Sequence, residues 1–275
     1  MVRLDKDMYM LKIAGEELAI PKLIFNYQGK ENIFNNSKKD LINVINLLRK
    51  YEFGALILKH NSNYYILFFD KKGYAKMCGH GSLGITYLLS NLLKVQEITF
   101  ETESGRINGV CKKRNLQINM PIAETIKEQI YECGNKFLVK QLNKYENFRL
   151  NQIITTSQNY IKKNEIYGVI WFSIQYHIEN IFFTHSVTIF GNQCQQDMSP
   201  CGTGSCSLSK YLKDKYNKDS LKLINKSLNG FAFNVLLNKK DKPILSYDGD
   251  IKVTNIKLKG EYKINNHNWL LQSLK

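Results

Sequence analysis

Short apolar runs separated by polar turn residues dominate the first half of the chain. Ala55-Leu56-Ile57-Leu58, Tyr64-Tyr65-Ile66-Leu67-Phe68-Phe69 and Glu97-Ile98-Thr99-Phe100-Glu101 are rich in β-branched or aromatic residues and bounded by Gly, Asn, Asp or Lys, which predicts strands. Leu41, Ile42, Val44, Ile45 and Leu48 fall at helical spacing and predict a helix over 39–51, and a second is expected over 82–93. The second half repeats this order. A helix over about 151–163 precedes apolar runs at 169–172 and 187–190, a helix over 203–216 follows, and strand signals occupy 231–237, 244–247 and 251–258. There is no low-complexity linker and no short-period repeat. The repetition is larger: each half holds a strand, a Cys-Gly turn and then a helix. Two domains are therefore expected, 1–125 with the first turn and 126–275 with the second, the C-terminal tail being free to pack back on the first.

At 275 residues, 43% hydrophobic and 23% charged, the chain can bury a full core and has a globular composition. No run approaches the roughly 18 apolar residues that span a bilayer. The opening Met1-Val2-Arg3-Leu4-Asp5-Lys6-Asp7 has no apolar stretch behind it, so no signal peptide is expected and the chain reads as cytoplasmic. The net charge of +15 raises the question of an anionic partner. Yet the lysines are scattered, and clusters such as Lys112-Lys113-Arg114 and Lys239-Lys240-Asp241-Lys242 predict turns between strands. A solvated basic surface is the reading, with neither nucleic acid nor membrane as partner.

Six cysteines remain to be explained: Cys78, Cys111, Cys133, Cys194, Cys201 and Cys206. None form a CxxC pair, so no metal site is expected, and without a secretory signal disulfides are not expected either. Cys111, Cys133, Cys194 and Cys206 read as packing residues. Cys78 and Cys201 stand apart, because each opens a Cys-Gly-X-Gly turn followed by a helical pattern: Met77-Cys78-Gly79-His80-Gly81-Ser82 and Pro200-Cys201-Gly202-Thr203-Gly204-Ser205. The N–H groups at a helix start suit a carboxylate, and the same environment favours a thiolate. Taking a proton from an amino-acid α-carbon requires a base on one face and donors for the charge that develops on the carboxylate. Inversion requires an acid on the other face as well. Two like turns, one from each half, supply that chemistry. A single such turn would mark no more than a tight bend before a helix.

The stretch Gly73-Tyr74-Ala75-Lys76-Met77-Cys78-Gly79-His80-Gly81-Ser82-Leu83-Gly84 resembles the GYxxMCGHGSIG segment of proline racemases and hydroxyproline epimerases, and Asp197-Met198-Ser199-Pro200-Cys201-Gly202-Thr203-Gly204 resembles their DRSPCGTG. Weaker matches are Phe53-Gly54-Ala55-Leu56 to an MFGA segment whose aromatic residue lines the pocket, Gly134-Asn135-Lys136-Phe137 to GGNF, and Gly249-Asp250-Ile251 to a late GRA. The resemblance implies an α/β (α+β) fold like that of diaminopimelate epimerase: two pseudo-symmetric domains, each a curved, mostly antiparallel sheet around a central helix, with the active site in the cleft between them. It implies Cys78 and Cys201 as the catalytic acid/base pair. His80 and Asp197 would hold the substrate's amino group, and the N–H groups of Gly79, His80, Gly202 and Thr203 its carboxylate. Phe53 would stand beside the substrate. No cofactor and no metal are implied, the partner is a small amino acid, and a homodimer is compatible with it.

The chain also departs from the family. Ile13-Ala14-Gly15-Glu16-Glu17 stands where the family has His-Thr before Gly-Glu-Pro, the EPRGH stretch is missing, Met198 replaces Arg, and one extra residue separates Phe190 from Cys201. Cys201 argues against the related 3-hydroxyproline dehydratases, which carry Thr there, and His80 against diaminopimelate epimerase, which has Asn. The expected activity is inversion of the α-carbon of an amino acid, proline or hydroxyproline foremost, by Cys78 and Cys201. The alternatives are a racemase for another amino acid and a degenerate member that binds an amino acid without turnover.

Overall fold

The computed structural model describes residues 7–29, 32–49, 51, 53–70, 73–113, 115–143, 149–191, 195–197, 200–257 and 269–273. They divide into two units, 1–116 with 249–275, and 117–248.

The first unit opens with β1 (Asp7–Ile13), β2 (Glu16–Pro21) and β3 (Leu23–Tyr27), followed by α1 (Ile33–Asp40) and α2 (Ile42–Leu48). The hairpin β4 (Phe53–His60) and β5 (Asn63–Asp70) leads through the short β6 (Tyr74–Ala75) into α3 (Gly79–Leu93), then β7 (Glu97–Thr102) and β8 (Gly105–Lys112). The second unit runs β9 (Asn115–Asn119), β10 (Glu124–Lys127), β11 (Ile130–Glu132), β12 (Lys136–Gln141), α4 (Leu150–Asn164), β13 (Gly168–Ile178), β14 (Ile181–Phe190), β15 (Gln195–Asp197), α5 (Gly202–Lys215), β16 (Leu221–Ser227), β17 (Ala232–Leu237) and β18 (Pro243–Tyr247). The chain then returns to the first unit with β19 (Lys252–Lys257) and β20 (Trp269–Ser273).

The two units follow one plan. In the first, β3 pairs parallel with β4 after a helical crossover, β4 and β5 form an antiparallel hairpin, and β5 pairs parallel with β7 across α3. In the second, β12 and β13 pair parallel across α4, β13 and β14 form the hairpin, and β14 pairs parallel with β16 across α5. Helix α3 touches β1, β2 and β4 as well as β7 and β8, and α5 touches β10, β11 and β12 as well as β16, β17 and β18. Strands from both flanks of each sheet thus reach the same helix, so each sheet curls around it. Both helices are buried on nearly every face through Ser90 and Ser209, which is the pattern of a helix inside a core.

Strand alternation sets which side chains meet these helices. In β16, Leu221, Leu223, Asn225 and Ser227 are buried while Lys222 and Lys226 are exposed. Residues 117–125 belong with the second unit because β9 pairs with β18 and the Ala123 N–H donates to Asp241 O at 2.8 Å. The division therefore falls at Leu116, short of the expected 125. The tail pairs with the first unit through β19 on β1 and β20 on β3, and Trp269 Nε1 donates to Asp40 Oδ2 at 3.0 Å while its ring lies 4.8 Å from that of Tyr27.

The helix expected over 39–51 is two helices that start earlier and part at Leu41, whose φ of −101° and ψ of 13° leave the helical region. Asn32 starts α1 by accepting from the Phe34 and Asn35 N–H groups at 3.0 and 3.2 Å. No helix among the described residues is long and apolar enough to cross a membrane.

Candidate active site

Both Cys-Gly turns fold in the same way. Cys78 is the N-cap of α3, with φ −134° and ψ 117°, and its Sγ accepts from the Gly81 N–H at 3.2 Å. Cys201 is the N-cap of α5, with φ −70° and ψ 123°, and its Sγ accepts from the Gly204 N–H at 3.3 Å. In each, the cysteine carbonyl receives the first intrahelical bond, from Ser82 N and from Ser205 N, both at 2.8 Å. A thiol thus does the work that Ser, Asp or Asn usually does at this position. The amide donor and the positive end of the helix both stabilise negative charge on the sulfur.

The second glycine of each turn is needed for this geometry. A Cβ at Gly81 would sit 2.5 Å from Phe68 Cε1 and 3.2 Å from Cys78 Cβ. At Gly204 it would sit 3.1 Å from Ile170 Cδ1 and 3.2 Å from Cys201 Sγ. With no Cβ there, the thiol can lie over the third amide of its helix. The helices begin at Gly79 and Gly202, earlier than the expected 82 and 203, so the glycines are part of the first turn. The N–H groups of Gly79, His80, Gly202 and Thr203 belong to those first turns, where no intrahelical acceptor exists, and point out of the helix start.

The turns differ in what surrounds the sulfur. Cys78 is half-buried, whereas Cys201 is buried and has Thr203 Oγ1 3.5 Å from its Sγ. His80 holds the position in the first turn that Thr203 holds in the second. It is buried, and burial lowers its pKa from 6.5 to about 3, so the imidazole is neutral at physiological pH. A neutral ring still has a lone pair to accept from an ammonium group.

That shift carries a consequence for stability. Between about pH 3 and 6.5 the unfolded chain takes up a proton at His80 that the folded chain refuses, so this residue's effect is loss of stability as pH falls through that window. His80→Asn, which cannot titrate, is expected to flatten the acid limb of stability between pH 6.5 and 4. Urea midpoints at several pH values measure it, and an unchanged acid limb would contradict the assignment.

The other expected site residues are spread more widely. Asp197 ends β15, with its backbone opposite Thr188 of β14. Phe53 opens β4, half-buried and opposite Asp70. Phe190 packs its ring against Tyr167 and Phe137, with centroids 5.5 and 6.4 Å away. Cys194 and Met198 lie outside the described residues. Cys111 is half-buried on β8, and burial raises its pKa. Cys133 and Cys206 are fully buried, and Cys133 donates to Pro121 O at 3.3 Å. Sequence reasoning missed that Cys206 has the thiols of Cys133 and Cys201 as neighbours; burial first, and then these neighbours, push its pKa well up and keep it a thiol. Among the described residues, no group of three or more His, Cys, Asp or Glu side chains is placed to hold a metal ion.

No family model matches the chain. A curated relative is the proline racemase of Acetoanaerobium sticklandii, 26% identical over a 228-residue alignment that takes in 66% of this chain and 68% of the relative. Among solved structures, a probable proline racemase from Agrobacterium radiobacter is similar with a TM-score of 0.64 and 14% identity, over 90% of this chain and 92% of that one. A hydroxyproline epimerase from Agrobacterium vitis gives 0.63 and 13%, over 93% and 94%. A phenazine biosynthesis PhzC/PhzF protein from Clostridium difficile gives 0.60 and 17%, over 92% and 99%. At these identities the solved structures speak for the fold alone, which is the two-part α+β fold the sequence motifs imply.

Proposed function

We propose that this chain, which resembles the proline racemase and hydroxyproline epimerase family in sequence motifs and fold, inverts the α-carbon of an amino acid without a cofactor, with Cys78 and Cys201 as its acid and base. The fold does not carry this reading, because a phenazine biosynthesis protein shares it. The observation that carries it is the repeated turn: two thiols, each the N-cap of a buried helix and each accepting from the third amide of that helix.

In this reading one cysteine, as thiolate, takes the α-proton, and the other, as thiol, delivers a proton to the opposite face. The pair is left with its protonation states exchanged, ready for the other enantiomer. The N–H groups of Gly79, His80, Gly202 and Thr203 hold the carboxylate, where charge grows as the α-proton leaves. Neutral His80, with Asp197, takes the amino group. Binding without turnover is the competing reading, but binding alone does not call for two thiols at helix starts.

Incubation with a panel of amino acids in deuterated water tests the proposal. Solvent deuterium is expected at Cα of proline, with kcat/KM higher than for trans-4-hydroxy-L-proline because Phe53 would offer an apolar wall. Preference for the hydroxylated ring would overturn the Phe53 assignment. No exchange with any amino acid, alongside measurable binding, would overturn the enzyme reading in favour of a binding protein.

A further inference from the structure

The inward positions of β14 and β16 change from apolar to polar along the strands: Phe182 and Leu223 give way to Thr184, Ser186, Asn225 and Ser227, all buried. Thr184 and Asn225 face each other in the parallel register of these strands, and both are buried. An amide in such a place is costly unless its two ends are hydrogen-bonded. Thr184 Oγ1 donates to Asn225 Oδ1 at 2.8 Å, Asn225 Nδ2 donates to Ser205 Oγ at 2.9 Å, and Ser205 Oγ donates to Cys201 O at 2.7 Å. Every donor points the same way along the chain, so each bond polarises the next. The last acceptor, the Cys201 carbonyl, also receives the Ser205 N–H at 2.8 Å.

We propose that Asn225 and Ser205 are positioning residues for the Cys201 turn: the buried Thr184-Asn225-Ser205 relay locks the Cys201–Gly202 peptide plane and with it the direction of the thiol. A peptide is planar, so fixing the carbonyl on two donors also fixes the Gly202 N–H on the opposite side. The first turn is held differently. Ser82, at the same offset from Cys78, directs its hydroxyl to Met77 Sδ at 3.5 Å instead of to the Cys78 carbonyl, which receives the Ser82 N–H at 2.8 Å. The relay is therefore specific to one of the two thiols. The kinetic part of the inference rests on the proposed racemase reading; the structural part does not.

Two readouts on Asn225→Leu and Ser205→Ala separate them. The first is the rate of iodoacetamide labelling of each cysteine, followed by peptide mass spectrometry. Loosening the turn is expected to raise labelling of buried Cys201 several-fold and leave Cys78 unchanged, whether or not the protein turns over any amino acid. The second is exchange of the α-hydrogen without inversion, measured on both enantiomers in deuterated water. A racemisation kcat about tenfold lower is expected, with exchange outrunning inversion for the enantiomer whose α-hydrogen Cys78 removes. Ser205→Thr, which keeps the hydroxyl, should restore both. Equal labelling changes at Cys78 and Cys201, or none, would overturn the relay, as would slower racemisation with an unchanged ratio of exchange to inversion. Selective labelling of Cys201 with no exchange in the unaltered protein would uphold the relay and sink the racemase reading. Thermal melts identify a variant that fails to fold, and Ser205→Ala, the smaller change, then decides.

Discussion

Cys78→Ser and Cys201→Ser are each expected to lower racemisation by about 10³-fold or more, within the range that positioned general bases and acids supply. Serine keeps the approximate shape of the side chain and can still accept from Gly81 or Gly204, so α3 and α5 retain their caps. What is lost is ionisation near neutral pH, because a hydroxyl is a far weaker acid than a thiol. Each variant keeps one competent thiol. Cys78→Ser should therefore still exchange the α-hydrogen of one enantiomer, and Cys201→Ser that of the other, with neither inverting the centre. Polarimetry follows racemisation and NMR in deuterated water follows exchange. Substantial racemisation by either variant, or the same enantiomer preference in both, would overturn the two-thiol mechanism.

The next largest effects are expected from adding one methyl group to either turn. Phe68 is buried on β5 and packed below α3, so a Cβ at residue 81, 2.5 Å from its ring, forces the helix start or the ring to move. Gly81→Ala is expected to cost about 1–3 kcal/mol of stability. At residue 204 the contacts are longer, and what must give way includes Cys201 Sγ itself, 3.2 Å from the added carbon. Gly204→Ala should thus leave the melting temperature within a few degrees of the unaltered protein. It should displace the thiol and lower kcat/KM about 10- to 100-fold, since proton transfer tolerates little misplacement. Melting curves and kcat/KM on both variants check this. A Gly204→Ala protein with full activity would show that the sulfur does not depend on the geometry seen at Gly204.

The local parts of this architecture were legible because they have local signatures. Alternating and continuous apolar runs marked β4, β5, β13, β14, β17 and β18 to within a few residues, apart from the outer half of the β13–β14 hairpin, where Gln175, Tyr176, His177 and Ile178 are exposed and no longer follow a core pattern. The Cys-Gly turns were visible as motifs, but their glycines suggested loop where the structure has buried helix. Glycine lowers intrinsic helix propensity, and here close packing against Phe68 and Ile170 outweighs that preference. Helix α1 was hidden for a similar reason: Asn35, Asn36 and Ser37 are poor helix formers, and the Asn32 cap together with buried Ile33 holds the segment. Asn225 sits on β16, a strand absent from those the sequence pattern predicts. Its role needs the partner strand's register, which places Thr184 beside it and which nothing local encodes.

The pairing of β19 with β1, Asp7 opposite Lys257 at one end and Lys12 opposite Lys252 at the other, sets an order of assembly on the growing chain. The second unit is continuous from 117 to 248 and has all its strands once β18 is made. The first cannot cover β1, or place Trp269 against Tyr27 and Asp40, until β19 and β20 have left the ribosome. Translation therefore completes the Cys201 helix and its sheet first, while the N-terminal sheet waits with an open edge. The residue that closes that sheet's core is a tryptophan translated only after the whole second unit.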